Sequence, residues 1–310
     1  MAETESSGRS APESAVGRRR VESAVVEGRA RPDYRPRVRR TALSVVRYGV
    51  LLTVAAIIVI PVLYAAIGGF RDAPQLAADP VGLPDPWVWT NYTEVLGSES
   101  FWQQLGNSIL IAVLTTVTVV AFASLAAFVF ARRRFRGREV LFSFFTLGLL
   151  FPAAVAILPL FILIRTVGLI DSALGIALPQ AAFALPLTII ILRPFFRSIP
   201  VELEDAAAID GCGSFGFFWR VLLPLSRPAL ATVSVLAIVS SWNAFLLPLI
   251  ILSDQANWTL PLGVTNFSTQ YSSDTARILA YTTLALIPAL LFYIVAERQL
   301  IGGLTAGSVK

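Results

Sequence analysis

Long apolar segments separated by short polar ones dominate the chain after its first 45 residues. Each segment reaches the ~20 residues that a helix needs to cross a bilayer, and none carries Asp, Glu, Lys or Arg in its central part. The pattern predicts an all-α, polytopic membrane protein with six transmembrane helices, at 46–70, 108–131, 140–163, 172–192, 229–252 and 277–296. Prolines inside these segments remove backbone donors, so we expect local kinks at Pro61, Pro152, Pro159, Pro179, Pro186, Pro248 and Pro288.

The composition agrees with this membrane class and excludes several kinds of site. Of the 310 residues, 55% are hydrophobic and 15% are charged, whereas a soluble domain carries about a quarter charged residues. The sequence contains no His and a single Cys, so we expect no metal site, no catalytic residues and no internal disulfide bond. The net charge of +5 comes from Arg in the first 47 residues and in short loops, which does not indicate a nucleic-acid partner.

The arginines also predict an orientation, because cytoplasmic loops of membrane proteins are enriched in Lys and Arg. Residues 1–40 form a basic segment without an apolar core, and residues 132–139 read RRRFRGRE. By contrast, residues 72–105 hold five acidic residues and no Lys or Arg, and residues 253–276 also lack both. We expect 1–40 to be a disordered cytoplasmic tail attracted to anionic membrane lipid, 41–310 to be the transmembrane domain, and both termini to be cytoplasmic.

A polar segment at 193–228, between the fourth and fifth predicted spans, is longer than a simple turn requires. It is predicted to be cytoplasmic and to contain a short helix at 201–210. Pro200 would occupy the first turn, and acidic residues follow it, where they face the positive end of the helix dipole. Gly211 supplies a residue that tolerates positive φ and ends the helix.

A second short helix is predicted at 215–222, rich in aromatic residues. Ser214 is its expected N-cap, and Pro224 and Pro228 are expected to break it before the fifth span. A helix of about ten residues is marginal alone and needs a partner surface or tight packing. The residues themselves leave two interpretations open: a docking surface for a cytoplasmic protein, or a linker that lies on the membrane surface.

This segment resembles the EAA loop of the permeases of binding-protein-dependent ABC importers. That loop has a Glu-Ala-Ala triplet, a Gly four positions later and a Leu-Pro about a dozen residues further on. The matching residues here are Asp205-Ala206-Ala207, Gly211 and Leu223-Pro224. Asp205 stands where the family usually has Glu, and Glu204 is adjacent and carries the same charge.

Five other parts of the chain are similar to the maltose-type sugar permease group. These similar parts are Asn107-Ser108, the Arg-rich residues 132–139, residues 241–245 with Pro248-Leu249, residues 259–263, and the small-residue C-terminal end at 302–310. The resemblance as a whole covers about residues 41–310. The C-terminal end resembles that of the group's second permease, which contacts the ATPases.

The resemblance implies a type I ABC importer permease fold in a bacterial cell membrane, with a defined set of partners. These are a second, homologous permease, two ATPase subunits on the cytoplasmic face and an extracytoplasmic substrate-binding protein. The residues implied to couple to an ATPase are Glu204, Asp205, Ala206, Ala207, Gly211, Leu223 and Pro224. Lys310 is the only lysine, so the chain has no phosphate-binding GxxxxGK[ST] loop. We therefore expect ATP and Mg²⁺ to bind the partner ATPase, no cofactor to bind this chain, and the chain to be a transport subunit rather than an enzyme.

The substrate path is expected between the two permeases, with Trp242, Asn243 and Gln180 as candidate contacts. Asn243 would lie ~20 Å across the membrane from the inner end of its span, and an amide beside an aromatic ring suits a sugar. The alternative is that these side chains only pack helices together. The resemblance implies a carbohydrate substrate, and another polar solute (a polyol, glycerol phosphate, amino acid or peptide) is the alternative. An ion-coupled secondary transporter or a membrane enzyme is disfavoured, because the spans lack ionisable residues away from their ends.

Overall fold

The computed structural model describes the backbone of residues 36–268 and 273–306, and the side chains of 44–268 and 273–294. The described residues form helices and their connections, with one isolated antiparallel bridge between Ser268 and Ser273. The α-helices are α1 (Pro36–Gly68), α2 (Ala73–Ala78), α3 (Thr90–Gly97), α4 (Glu99–Arg132), α5 (Arg138–Leu147), α6 (Ala153–Thr166), α7 (Ala173–Ser198), α8 (Glu202–Ile209), α9 (Ser214–Phe217), α10 (Leu223–Leu225), α11 (Arg227–Trp242), α12 (Leu246–Ile251), α13 (Leu260–Gly263) and α14 (Thr275–Ala306). Single 3₁₀ turns lie at Gly148–Leu150, Gln255–Asn257 and Val264–Phe267, and a π-helical turn lies at Phe218–Leu222.

The two predicted terminal segments are only partly described. Of the predicted 1–40 tail, only residues 36–40 are described, and their backbone already belongs to α1. Of the C-terminal segment at 302–310, residues 302–306 end α14 and the last four residues lie outside the described part.

The helix count agrees with the prediction of a six-span, all-α membrane protein. Within the described residues, four helices are long and apolar enough to cross a membrane: Ser44–Gly68, Glu99–Arg132, Ala173–Ser198 and Thr275–Ile294. The count rises to six if each of two sharply bent helix pairs forms one span. Those pairs are Arg138–Leu150 with Ala153–Thr166, and Ser214–Leu225 with Arg227–Trp242.

The third predicted span, 140–163, is not a continuous helix with a local kink. Its two halves meet at an angle of 97°, and the break falls at Phe151 and Pro152. Phe151 is extended, with ψ at 118°. Proline disfavours the helical conformation in the residue before it, so the chain leaves the helix at Phe151 and restarts at Ala153.

The fifth predicted span, 229–252, is also wrong as a single helix. α11 ends at Trp242, and α12 begins only at Leu246. Asn243 donates its side-chain amide to the carbonyl of Val239 at 2.9 Å, which competes with continuation of the helix. Pro248 has no N–H for the carbonyl four residues earlier, which weakens the helix further. The bent pair that is long enough to cross the membrane is therefore Ser214–Leu225 with Arg227–Trp242, and α12 is not part of it.

Residues 1–59 and 60–310 form two compact units. In the described part of the first, the apolar side chains of α1 are exposed, as expected for a helix that faces lipid. In the second, α4 packs along α7 and α11. Small buried residues such as Ala123, Ala127 and Ala237 allow this close approach. The largest buried cluster lies where α4 and α7 end and α11 begins, and it includes Ala207, Phe217, Phe218 and Leu222 of the predicted coupling segment.

Candidate functional site

α8, at the centre of the predicted coupling segment, is short and presents one exposed face. Glu202, Asp205, Ala206 and Ile209 are exposed at helical spacing, and Ile209 is 86% exposed. Ala207 faces the opposite way and is buried. The helix begins at Glu202 with Val201 as its N-cap. Pro200 precedes the N-cap, so the prediction that it occupies the first turn is wrong.

The predicted end of α8 at Gly211 is confirmed. Gly211 has a φ of +78°, which side chains with a Cβ rarely adopt. Its N–H donates to the carbonyl of Ala208 at 3.0 Å, and the N–H of Cys212 donates to Ala207 at 2.8 Å. This pair of bonds is a Schellman motif. It holds the chain in a sharp reversal directly after the exposed face.

The aromatic stretch after this turn is anchored in the core. Phe217 and Phe218 are almost fully buried, whereas Phe215 and Trp219 are exposed. Two sequence predictions are wrong here. Ser214 is the first helical residue and Gly213 the N-cap, and the helix continues through Pro224 to Leu225.

The π turn at Phe218–Leu222 explains why Pro224 is tolerated. Its wider spacing places Pro224 at the start of a new hydrogen-bonded turn, α10, where the missing N–H is least costly. Pro224 is exposed and Leu223 half-buried, so this Leu-Pro pair lies at the surface beside the buried Leu222.

Glu204 is held by the chain itself. Its carboxylate oxygens lie 3.1 Å from Nη2 of Arg133 and 3.9 Å from Nη1 of Arg132, at the end of α4. Only 21% of the Glu204 side chain is exposed, while Asp205 is fully on the exposed face. The sequence pattern had grouped the two acids together, but only Asp205 is free to face a partner.

The Arg-rich stretch 132–139 does more than orient the chain. Arg193, which is buried near the end of α7, donates to Oε1 of Glu139 at 2.5 Å. The guanidinium also lies 3.9 Å above the ring of Phe142. Together these contacts tie α5 to α7 beside the predicted coupling segment.

The predicted substrate-path residues divide between two cavities. Gln180 and Asn243 line one cavity of about 580 Å³ between α6, α7 and the α11–α12 break, together with Phe183, Ser240 and Phe245. Trp242 does not line it and instead faces a second cavity of about 300 Å³ beside α14. Asn243 borders both, so the structure brings Gln180 and Asn243 to one space and separates Trp242 from it.

Gln180 also joins three helices. Its Oε1 accepts hydrogen bonds from Thr115 of α4 at 3.0 Å and from Ser241 of α11 at 2.6 Å. Its Nε2 is buried and has no partner among the described residues. The side chain therefore packs helices together and also borders the larger cavity.

Two motifs that matched the permease group meet at the other end of α4. Asn107 donates from Nδ2 to the carbonyls of Ala256 and Trp258 at 2.8 and 3.0 Å. Ser108 accepts the N–H of Leu260 at 2.8 Å. Sequence spacing alone could not have paired these motifs, because they lie about 150 residues apart along the chain.

Gly263, the last residue of the second motif, fits where no side chain could. A Cβ there would overlap Oε1 of Gln104 and the hydroxyl of Tyr281, two buried groups that are hydrogen-bonded to each other. The glycine is therefore required by close packing rather than by its backbone conformation.

Comparison with known sequences assigns this chain to a family. Residues 119–299 match the family described as binding-protein-dependent transport system inner membrane component. The diacetylchitobiose uptake system permease protein NgcG of Streptomyces coelicolor is 31% identical and aligns with 86% of this chain and 89% of its own. The trehalose transport system permease protein SugB of Mycobacterium tuberculosis is 36% identical, over 74% and 84% of the two chains.

Solved structures give the same result. A chain from the crystal structure of a bacterial ABC transporter involved in the import of the acidic polysaccharide alginate superposes with a TM-score of 0.71. Its sequence identity is 26%, and the match covers 83% of this chain and 96% of that one. The chain described here therefore belongs to the family of binding-protein-dependent transport system inner membrane components, and it is a permease subunit of an ABC importer.

Proposed function

We propose that this permease forms half of the translocation pathway for a carbohydrate that an extracytoplasmic binding protein delivers. The relatives named above are permeases for diacetylchitobiose and trehalose, and the similar structure imports alginate. The larger cavity supports the proposal, since amide and hydroxyl groups of Gln180, Ser240 and Asn243 lie there with two phenylalanines. Such a lining offers hydrogen bonds to hydroxyl groups and an apolar face for a sugar ring. A second, homologous permease supplies the other half.

The exposed face of α8 is the single observation that carries the coupling role. Ala207 and Glu204 fix one side of the helix to the core, while Asp205, Ala206 and Ile209 remain uncovered. A small-residue face permits close approach of a partner, and an exposed Ile offers apolar area to bury. The partner is one of two ATPase subunits, which bind ATP and Mg²⁺. Asp205, Ala206 and Ile209 make the direct contact, while Glu204, Ala207, Gly211, Leu223 and Pro224 hold the helix in place.

A substitution at Ala206 tests this docking face. The chain is purified with the transporter subunits encoded beside it, and retention of the ATPase is measured by size-exclusion chromatography. Ala206→Trp is expected to release the ATPase, because a large side chain blocks close approach. Ala78→Trp is the matched control, since Ala78 is exposed on α2 in the predicted outer segment. Equal ATPase retention in both variants contradicts the docking role of α8.

The proposed orientation places both termini and the 193–228 segment in the cytoplasm, with 1–40 as a tail and 41–310 as the permease domain. Cys212 gives a direct test because it is the only cysteine and is partly exposed in that segment. A membrane-impermeant maleimide is expected to label it in inverted vesicles and not in right-side-out vesicles. Gln255→Cys in a Cys212→Ser background should show the opposite pattern. Labelling of Cys212 from outside overturns the orientation.

The substrate class is tested on the binding protein, which meets the solute first. Ligand binding raises the melting temperature of the folded state, so a panel of solutes can be ranked directly. Di- and oligosaccharides are expected to raise it, and the control panel contains polyols, glycerol phosphate, amino acids and peptides. If only a control solute does so, the carbohydrate assignment is wrong. Uptake by vesicles driven by an ion gradient without ATP would instead favour a secondary transporter.

A further inference from the structure

Arg132, the last residue of α4, contacts three consecutive parts of the coupling segment. Its Nη2 donates to the carbonyl of Ile199 at 2.5 Å, directly after α7. Its Nη1 lies 3.9 Å from Glu204 in the first turn of α8, and the guanidinium lies 6.0 Å from the ring centroid of Phe217 in α9. Only 7% of the side chain is exposed, so one buried cation bridges the connection before α8, α8 itself and the helix after it.

The geometry requires arginine rather than a cation in general. A planar guanidinium can direct separate N–H groups at a carbonyl and a carboxylate, whereas an ammonium is a single point charge. The bond to the carbonyl of Ile199 is charge-assisted and therefore stronger than a neutral one. The 3.9 Å contact with Glu204 is an ion pair that lies beyond hydrogen-bond distance. Arg133 adds the shorter contact to Glu204 but is 40% exposed, so solvent screens it more.

The opposite end of α4 is held just as specifically. Asn107 and Ser108 bond the 256–260 stretch of the predicted outer loop. Arg132 and Asn107 lie on one helix, about 37 Å apart at about 1.5 Å per residue. α4 is a single, unbroken helix between them, unlike the third and fifth predicted spans. A displacement of α8 can therefore reach the outer loop through one rigid element.

We propose that Arg132 is the positioning residue that links α8 to α4, and that α4 transmits the ATP-driven movement of α8 to the 253–263 stretch. The proposal rests on the proposed function, because it needs an ATPase docked on α8. Glu204 is the partner through which Arg132 acts. Arg132 itself contacts neither the substrate nor the ATPase.

The test follows the outer loop directly and needs no knowledge of the transported solute. Gln255 is exposed in that loop, so Gln255→Cys in a Cys212→Ser background can be labelled with a maleimide. The complete transporter is labelled with and without MgATP and orthovanadate, which trap the ATPases in a closed state. In the otherwise unchanged protein, trapping is expected to alter the labelling rate of the introduced cysteine about fivefold or more, the lower end of a typical coupling between sites.

Arg132→Gln is expected to abolish this difference while vanadate trapping and ATPase retention persist, because the exposed face of α8 is untouched. Arg132→Lys should restore only part of it. Arg136→Gln is the matched control, since Arg136 lies exposed in the same Arg-rich stretch. Glu204→Gln is the second variant for the case that Arg132→Gln fails to fold, and it should reproduce the loss. Glu204→Gln also removes the contact with Arg133, and Arg132→Gln also removes the bond to Ile199. Where each single variant leaves part of the response, the losses in the double variant should still be less than additive, since both remove the Arg132–Glu204 pair.

The outcomes separate this inference from the function on which it rests. If vanadate traps no ATPase in the complete transporter, the proposed function itself is wrong and the inference falls with it. If trapping occurs but leaves labelling of the otherwise unchanged protein the same, only the transmission through α4 to the 253–263 stretch is overturned. Trapping could also change the labelling rate by the same amount in Arg132→Gln, in Glu204→Gln and in the otherwise unchanged protein. In that case, only the role of Arg132 is overturned. Additive losses in the double variant, or an equal loss in Arg136→Gln, also overturn it, because they show that Arg132 and Glu204 do not act as a specific pair.

Discussion

Asn107→Asp is the substitution that most sharply probes how α4 holds the predicted outer loop. The change preserves the size and shape of the side chain but replaces the donating amide nitrogen by an acceptor oxygen. In the native protein that nitrogen donates to the carbonyls of Ala256 and Trp258 at 2.8 and 3.0 Å. After substitution, a carboxylate oxygen would face two carbonyl oxygens at hydrogen-bond distance.

The expected cost follows from these two bonds. Each net hydrogen bond contributes about 1 kcal/mol, so Asn107→Ala should lower the free energy of unfolding by about 2 kcal/mol. Asn107→Asp should cost about 3 kcal/mol, because the negative charge also repels both carbonyls in a part-buried site. At about 2 °C per kcal/mol for a chain of this size, the melting temperature should fall by about 4 and 6 °C.

The Asn107→Asp variant should also become sensitive to pH. Repulsion by the carbonyls raises the folded-state pKa of the introduced carboxyl group above its unfolded value of about 3.9. A raised carboxyl pKa destabilises the folded state only where the group would otherwise be ionised, so the penalty grows as pH rises from the unfolded through the folded pKa. The melting temperature of Asn107→Asp should therefore approach that of Asn107→Ala as the pH is lowered toward about 4.

Heating followed by fluorescence-detected size-exclusion chromatography measures these differences in detergent. Asn257→Asp is the matched control, because Asn257 lies half-buried in the same stretch and has no side-chain hydrogen bond among the described residues. If Asn107→Asp is no less stable than Asn257→Asp at neutral pH, or if its deficit does not shrink in acid, the two bonds from Asn107 do not hold the outer loop.

Three further substitutions test other parts of the structure. Gly211→Val should lower the free energy of unfolding by about 1–2 kcal/mol, because a β-branched residue resists the positive φ. It should also weaken ATPase retention more than Gly211→Asn does, and equal retention in the two variants contradicts this. Gly263→Ala should lower the free energy of unfolding by about 1–3 kcal/mol through overpacking, and Tyr281→Phe in the same chain should recover part of it; a fully additive loss refutes the clash. Gln180→Leu should cost about 1–2 kcal/mol because the Ser241 hydroxyl loses its acceptor; reduced uptake with an unchanged melting temperature would instead indicate direct contact with the solute.

Much of the fold was predictable because burial in a bilayer imposes a simple rule on sequence. Long uncharged segments identified the membrane helices, and the short helix around Asp205 followed from its acidic start and the Gly211 stop. The spacing from Asp205 to Pro224 indicated the family, which residues 119–299 confirm. These features are local, so neighbouring residues carry all the information that defines them.

The features that were missed depend on contacts between distant segments. The breaks at Pro152 and Asn243 are built from residues that other membrane helices tolerate, as Pro179 and Pro186 inside the continuous α7 demonstrate. The pairing of Glu204 with Arg132 joins residues that are far apart in sequence. An Arg-rich loop is equally well explained by orientation alone, so nothing local distinguished its internal contacts from solvated charges.

The 97° break in the third span has a consequence for how the chain enters the membrane. Each half, Arg138–Leu150 and Ala153–Thr166, is shorter than the ~20 residues that insertion of one helix needs. The two halves must therefore insert together and bend afterwards. Backbone groups freed by the bend are costly in lipid unless protein covers them. The described part of this chain does not supply that cover, because residues 147–155 around the bend are all exposed. The third span can thus keep its native bend in the membrane only when another protein surface covers these residues, so its final shape depends on assembly of the transporter.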